Sequence, residues 1–159
     1  YGVLPIIKYI PENKIIWCPF DTEHSEFVLK FKAAGFEVVY SHICKGQDFF
    51  EYEPPQWDVL VSNPPYVPDD AIPRDPEVRF WDPPAALYGG ADGLDFYRAI
   101  AGHWTAALRV GGRLLFEVGI GQADEVLRIM RSVGFGDLEI LPDPAGIPRV
   151  VLGDLYQEI

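Results

Sequence analysis

The segment 57–66, WDVLVSNPPY, constrains the fold of this chain more than any other. Its apolar first half predicts a buried strand. Pro64 and Pro65 then end the strand ladder, since neither has a backbone N–H to donate and each fixes its own φ angle. The strand therefore carries Asn63 to the carboxyl edge of a sheet, which is where open α/β sheets bind their ligands.

The end of this segment carries groups suited to a planar amino group. The Asn63 side-chain oxygen and the backbone carbonyl of Asn63 or Pro64 can both accept hydrogen bonds from one NH2 group, which aims its nitrogen lone pair outward. Tyr66 can stack on the plane of that group. We therefore predict Asn63, Pro64, Pro65 and Tyr66 as catalytic residues. The alternative is a strand that ends in a Pro-Pro turn with a satisfied Asn, because short motifs also occur by chance.

Two known families share motifs with the chain. The motif NPPY resembles the Asn-Pro-Pro-aromatic motif of class I amino-methyltransferases, which use S-adenosylmethionine (SAM). From about residue 62 onward the chain resembles the release-factor glutamine methyltransferases, in NPPYVP at 63–68, PEVR at 76–79, ALYGGADGLD at 86–95, and EVG at 117–119 with Gln122. From residue 1 to about 63 it resembles phage-type DNA adenine methyltransferases, in IWCPFDTE at 16–23 and GQDFFEYEP at 46–54.

A change of composition coincides with this division. All five lysines precede all eight arginines, and the change falls between Lys45 and Arg74. We therefore expect an engineered or recombined chimera with its seam near residue 63; a natural divergent sequence is the alternative. The two parts are expected to form one methyltransferase-like domain over residues 1–159, because this length suits a single domain with a substantial core.

The apolar pattern alternates strands with helices. We predict four helices: one at about 2–10, one that follows the first strand and ends near 34, and two at 92–109 and 122–132. We predict strands at about 14–20, 36–43, 57–62, 113–118, 137–141 and 149–156. Such alternation indicates a doubly wound α/β sheet. The resemblance implies a Rossmann-like SAM methyltransferase sheet, mostly parallel, with a C-terminal antiparallel hairpin. Only residues 44–56 separate the second and third strands, so we expect one helix-strand unit to be missing. Residues 67–90 predict a long loop over the site.

The resemblance to SAM enzymes also implies a cofactor pocket after the first strand. Such enzymes usually bind SAM at a Gly-rich turn, where the lack of Cβ atoms lets the backbone approach the ligand. Here the turn 18–25 contains no glycine. The phage-type resemblance implies that Phe20, Asp21 and Thr22 line the pocket instead. A plain capped helix start is the alternative.

The adenine end of SAM is assigned by the same resemblance. The Asp48 carboxylate would accept the adenine amino group, Phe49 would pack on its ring, and Asn63 would complete the pocket. A solvated loop Asp beside a core Phe is the alternative. Near the C-terminal half, Gly119 and Gly121 are expected to shape a tight turn beside the substrate, with Glu117 or Gln122 lining it.

Charge and cysteine content exclude several other classes. The net charge is −11, and no cluster of Lys or Arg is present, which argues against autonomous DNA binding. No apolar run reaches the roughly 20 residues of a membrane span, and no signal peptide is evident, so we expect a cytoplasmic protein. Cys18 and Cys44 are expected to be reduced, buried thiols, and the His spacing suggests no metal site.

These observations lead to one hypothesis and two alternatives. We expect SAM-dependent N-methylation of a planar amino group, most like release-factor glutamine N5-methylation of a protein substrate such as a release factor. The first alternative is N6-methylation of adenine in DNA. The second is a catalytically silent, engineered chimera of the fold. Neither family's substrate-recognition domain is expected in this chain.

Overall fold

A computed structural model of the protein describes residues 6–48, 50–52, 57–71 and 87–156. Its strands form one sheet in the order β2-β1-β3-β4-β6-β5, with β1 (Ile15–Pro19), β2 (Glu37–Ser41), β3 (Val59–Ser62), β4 (Arg113–Glu117), β5 (Phe135–Pro142) and β6 (Pro148–Leu155). The described helices are α1 (Glu26–Ala33), α2 (Asp95–Trp104) and α3 (Ala123–Ser132), with single 3-10 turns at Ile7–Tyr9 and Ile43–Lys45.

Strands β1 to β4 are parallel, whereas β6 runs antiparallel to both β4 and β5. The predicted fold class, a mostly parallel α/β sheet with a C-terminal antiparallel hairpin, is confirmed. Between β2 and β3 the described residues contain one 3-10 turn and no further strand. The sheet of six strands therefore agrees with the predicted loss of one helix-strand unit.

Both faces of the sheet are covered, which explains why its central strands are apolar throughout. All four residues of β3 are buried. Helices α2 and α3 cover one face, where the core includes Trp17, Leu60, Tyr97, Phe116 and Val126. Helix α1 and the N-terminal 3-10 turn cover the other, where the core includes Ile6, Ile16, Phe31, Val61 and Leu115. No helix within the described ranges combines the length and apolar character of a membrane span.

Helix α2 begins three residues later than the sequence pattern predicts. The Asp92 carboxylate accepts the Leu94 N–H at 3.0 Å and pairs with the Arg98 guanidinium at 2.6 Å. These bonds form a turn ahead of the helix, because a short carboxylate side chain competes for nearby backbone donors.

The two cysteines lie in different environments. Cys18 is buried in β1, whereas Cys44 is exposed in the 3-10 turn after β2. The expectation of two buried thiols is therefore wrong for Cys44. Its position in a short surface turn, outside the apolar strand pattern, leaves it without a core to enter.

Candidate functional site at the carboxyl edge of the sheet

The predicted site residues come together because β3 lies between β1 and β4. Trp17 pairs with Leu60, and Ser62 pairs with Phe116, so the carboxyl ends of the three parallel strands lie side by side. In the sheet, β2 lies on one side of β1 and β3 lies on the other, so the strand order reverses at β1. Open α/β sheets bind ligands at such a reversal of strand order. Asn63 emerges at this point, next to the turn that follows β1.

The turn after β1 has the backbone shape of a glycine turn although it contains none. Phe20 has φ 68°, in the left-handed region that L-residues rarely occupy. Such a residue costs on the order of 1–3 kcal/mol, and strain of this kind clusters at ligand sites. The Phe20 ring packs edge-on against Phe96, with 6.4 Å between ring centroids. This contact helps hold the strained residue in place.

The rest of this turn is ordered by a local pair of hydrogen bonds. The Thr22 N–H donates to Ser25 Oγ at 2.8 Å, and the Ser25 N–H donates to the Thr22 carbonyl at 3.0 Å. Ser25 is the N-cap of α1, yet its side chain makes no capping bond to the helix. The Ser25 hydroxyl therefore shapes the turn and does not cap the helix.

Asp21 lies in the same turn with its carboxyl largely withdrawn from water. Burial raises its pKa to about 6, an effect that a hydrogen bond with Ser25 partly offsets. Its charge in turn helps raise the pKa of the Cys18 thiol, which burial already raises. A carboxyl group with a raised pKa at the carboxyl edge of an α/β sheet is typical of a functional site.

Asp48 shapes its own loop through hydrogen bonds to the residues that follow it. Oδ1 accepts the Phe50 N–H at 2.9 Å, and the Asp48 carbonyl accepts the N–H groups of Glu51 and Tyr52 at 3.1 and 2.8 Å. Oδ2 has no hydrogen-bond partner among the described residues. Phe49, the predicted partner of Asp48, lies outside the described residues.

The Asn63–Tyr66 turn changes from exposed to buried along its length. Asn63 is exposed, Pro64 is buried, and Pro65 and Tyr66 are half-buried. Within the part of the chain that the structure describes, neither the Asn63 side chain nor the Pro64 carbonyl has a hydrogen-bond partner. Both predicted acceptors for an amino group are therefore without a protein donor among the described residues.

Three glycines pack so closely around this turn that a Cβ atom on any of them would force its neighbours to shift. A Cβ atom on Gly89 would lie 2.5 Å from the Pro65 carbonyl oxygen, and one on Gly93 would lie 2.3 Å from that of Tyr66. A Cβ atom on Gly119 would lie 2.9 Å from Cδ2 of the Tyr66 ring. The sequence predicted a turn at Gly119. It could not predict how closely these glycines approach the Asn63–Tyr66 turn, because the contacting residues are far apart in the sequence and leave no local signal.

The end of β4 contributes a buried ion pair beside this turn. The Glu117 carboxylate lies 3.4 Å from Nη2 of Arg149, and both side chains are largely buried. Burial raises the pKa of Glu117, while Arg149 opposes the rise. With its charge paired in this way, Glu117 is held at the edge of the site as a fixed polar group.

Comparisons with known proteins bear on this arrangement. No protein-family model matches the chain. The release factor glutamine methyltransferase of Geobacter sulfurreducens is 50% identical over 99 residues, 62% of this chain and 35% of that protein. The enzyme of the same name from Thermodesulfovibrio yellowstonii is 38% identical over 153 residues, 94% of this chain and 53% of that protein. The chain thus spans about a third to a half of the length of these relatives.

A solved structure agrees with these relatives. The release factor-specific protein-(glutamine-N5) methyltransferase of Alicyclobacillus acidocaldarius superposes with a TM-score of 0.53 at 26% identity, over 90% of this chain and 80% of that one. The chain is therefore homologous to the release factor glutamine methyltransferases, and its sheet matches a Rossmann-like methyltransferase fold.

Proposed function

We propose that the protein is a SAM-dependent N-methyltransferase that acts on the side-chain amide of glutamine in a protein substrate such as a release factor. The observation that carries the proposal is the pair of acceptors at Asn63 and Pro64, which lie at the reversal of strand order beside the β1 turn and have no hydrogen-bond partner among the described residues. The homology to release factor glutamine methyltransferases supports glutamine as the acceptor.

The residues at the β1 turn and the Asp48 loop suit SAM. The left-handed backbone at Phe20 gives the turn the shape for which glycine is usually needed. Asp48 Oδ2, which has no hydrogen-bond partner among the described residues, would accept the adenine amino group. We assign Phe20, Asp21, Thr22, Asp48, Phe49 and Asn63 to the SAM pocket. When bound, SAM supplies a methyl group already activated by its sulfonium.

The remaining work of the protein is placement of the acceptor nitrogen. Asn63 Oδ1 and the Pro64 carbonyl accept the two N–H groups of the amide and turn its nitrogen toward the methyl group. Tyr66 stacks on the amide plane, and Pro64 and Pro65 fix the backbone that presents these groups. Positioning and a preorganised polar site are the two contributions that this transfer requires.

Methylation of adenine in DNA remains the second candidate, since residues 1 to about 63 resemble phage-type DNA adenine methyltransferases. The net charge of −11 disfavours it. A chimera with a phage-type first half also stays a prediction. The Thermodesulfovibrio alignment, which extends over 94% of the chain, supports a single lineage instead.

Calorimetric titration with SAM followed by a transfer assay tests the proposal. We expect one-to-one SAM binding, slower hydrogen exchange around Asp21 and Asp48, and label transfer from methyl-labelled SAM to a release factor. An oligonucleotide with adenine target sites is the competing acceptor. Transfer to DNA alone would favour the second candidate, and no heat at millimolar SAM would favour a catalytically silent module.

A further inference from the structure

Gln122, the N-cap residue of α3, joins three backbone segments that are distant in sequence. Its Nε2 donates to the Tyr66 carbonyl at 2.9 Å and also lies 3.5 Å from the Gly93 carbonyl oxygen. Its Oε1 accepts the Gly119 N–H at 3.0 Å. Because both ends of the amide bond to the backbone, Gln122 is not directed at a substrate. We infer that Gln122 is a positioning residue that fixes the Asn63–Tyr66 turn.

The peptide group after Tyr66 is held from two sides. Its carbonyl accepts from Gln122, and its N–H, which belongs to Val67, donates to the Leu87 carbonyl at 2.8 Å. Rotation of this peptide would break both bonds. Of the glycines around the turn, Gly89 donates its N–H to the Val67 carbonyl at 2.9 Å, one peptide further along. The Tyr66 carbonyl itself is held by the Gln122 amide.

The helix end gives Gln122 a firm base. Its own N–H donates to the Gly119 carbonyl at 3.1 Å, its carbonyl accepts the Val126 N–H at 3.0 Å, and the next residue, Ala123, is buried. N-cap positions favour small side chains that bond to their own helix. Gln122 makes no such capping bond. Its longer side chain instead contacts the backbone carbonyls of Tyr66 and Gly93, which are distant in the sequence.

The geometry requires both a donor and an acceptor at this position. Gln122→Glu keeps the acceptor for Gly119, but its ionised carboxylate has no proton to donate and would place negative charge against the Tyr66 carbonyl. A protonated carboxyl group would restore the donor. We therefore expect the loss of methyl transfer in Gln122→Glu to lessen as pH falls. In Gln122→Ala we expect a loss that does not change with pH.

The test combines kinetics with NMR of the protein between about pH 4 and 8, a range that includes the ordinary Glu pKa of about 4.3. At pH 8 we expect Gln122→Glu to lower kcat about a hundredfold, as misplacement of a reacting group does, with KM for SAM little changed. The amide signals of Val67 and Gly119 should shift and titrate together. Measurements on the wild-type protein at each pH correct for pH effects from other groups such as Asp21 and Glu117. The matched control is Asp124→Asn, which changes one charge at an exposed position in the same turn of α3.

The methyl-transfer part of this inference rests on the proposed function, and the two fail differently. If the wild type transfers no methyl group but the Val67 and Gly119 signals still titrate in Gln122→Glu, the positioning role stands and the proposed function falls. If Gln122→Glu and Gln122→Ala leave both amide signals and kcat as in the wild type, Gln122 does not position the turn. Rescue of kcat at low pH in Gln122→Glu alone is the supporting result.

Discussion

The Tyr97 hydroxyl donates a 2.9 Å hydrogen bond to the Glu117 carbonyl and so ties helix α2 to the end of β4. Tyr97 is fully buried, and its ring packs edge-on against Phe116 with 5.1 Å between centroids. Burial also raises the pKa of the Tyr97 hydroxyl, which keeps its proton available for this bond. The end of β4, beside the candidate site, is thus held by helix α2, which packs on that face of the sheet.

Tyr97→Phe should lower the free energy of unfolding by about 1–2 kcal/mol, because it removes one buried hydrogen bond while leaving the ring contacts intact. Urea unfolding followed by circular dichroism measures the change. Tyr156→Phe is the control, since the Tyr156 hydroxyl contacts Asp137 on the surface. Equal losses in the two variants would mean that burial does not strengthen the Tyr97 bond.

Asn63→Ala should lower methyl transfer by a factor of about a hundred or more, as removal of one oriented polar group typically does. The Asn63 side chain is exposed, so the free energy of unfolding should change by less than about 0.5 kcal/mol. Transfer assays and urea unfolding on the same preparation separate the two effects. An unfolded variant would identify Asn63 as a structural turn residue.

Tyr66→Phe should retain most activity, whereas Tyr66→Ala should lose about tenfold or more, because stacking depends on the ring. The comparison uses the same transfer assay with saturating SAM. The hydroxyl would be implicated, and the stacking role rejected, if the two variants lost activity equally.

Gly119→Ala should impair transfer, since the added methyl group would meet both the Tyr66 ring and Gln122 Oε1 at less than 3.0 Å. Thermal unfolding should also occur at a lower temperature. Gly102→Ala is the matched control, because a Cβ atom there meets nothing within 4 Å. That change lies inside α2 and should stabilise the protein by roughly 0.5–1 kcal/mol. Normal transfer by Gly119→Ala would disprove the close packing.

Asp21→Asn should stabilise the protein at neutral pH. The folded-state pKa of about 6 lies above the ordinary value, so the folded protein favours the neutral carboxyl group. The contribution of Asp21 to stability is present below about pH 4 and is lost as pH rises through about 6. The variant should therefore gain about 1–2 kcal/mol at pH 8 and little at pH 4. Urea unfolding across this range, with Asp70→Asn as the exposed control, provides the measurement. A gain that is equal at every pH would contradict the buried carboxyl.

The strands were predictable because their signals are local. The run from Lys14 to Phe20 becomes a strand at Ile15–Pro19, and the predicted 113–118 strand lies at Arg113–Glu117. Apolar side chains bounded by proline or glycine are sufficient for such predictions. The start of α2 was placed too early because the Asp92 turn depends on a side-chain bond that periodicity does not include.

The site was predictable only in part, for a related reason. The sequence indicated Asn63, Pro64, Pro65 and Tyr66 because these four residues are consecutive and form a motif that can be recognised locally. The role of Gln122 was not predictable, because it contacts Tyr66 across 56 positions and lies at a helix start where capping would be expected. The left-handed Phe20 was also missed, because propensity alone favours glycine there.

The link between Gln122 and Tyr66 also sets an order of events during synthesis. The residues that would hold the acceptor leave the ribosome first, but the amide that fixes them is made 56 residues later. Chains that end before α3 contain the whole NPPY motif and lack the bond that orients it. The site can therefore take its working geometry only after α3 has been made, and a chain that ends before α3 carries the motif without that geometry.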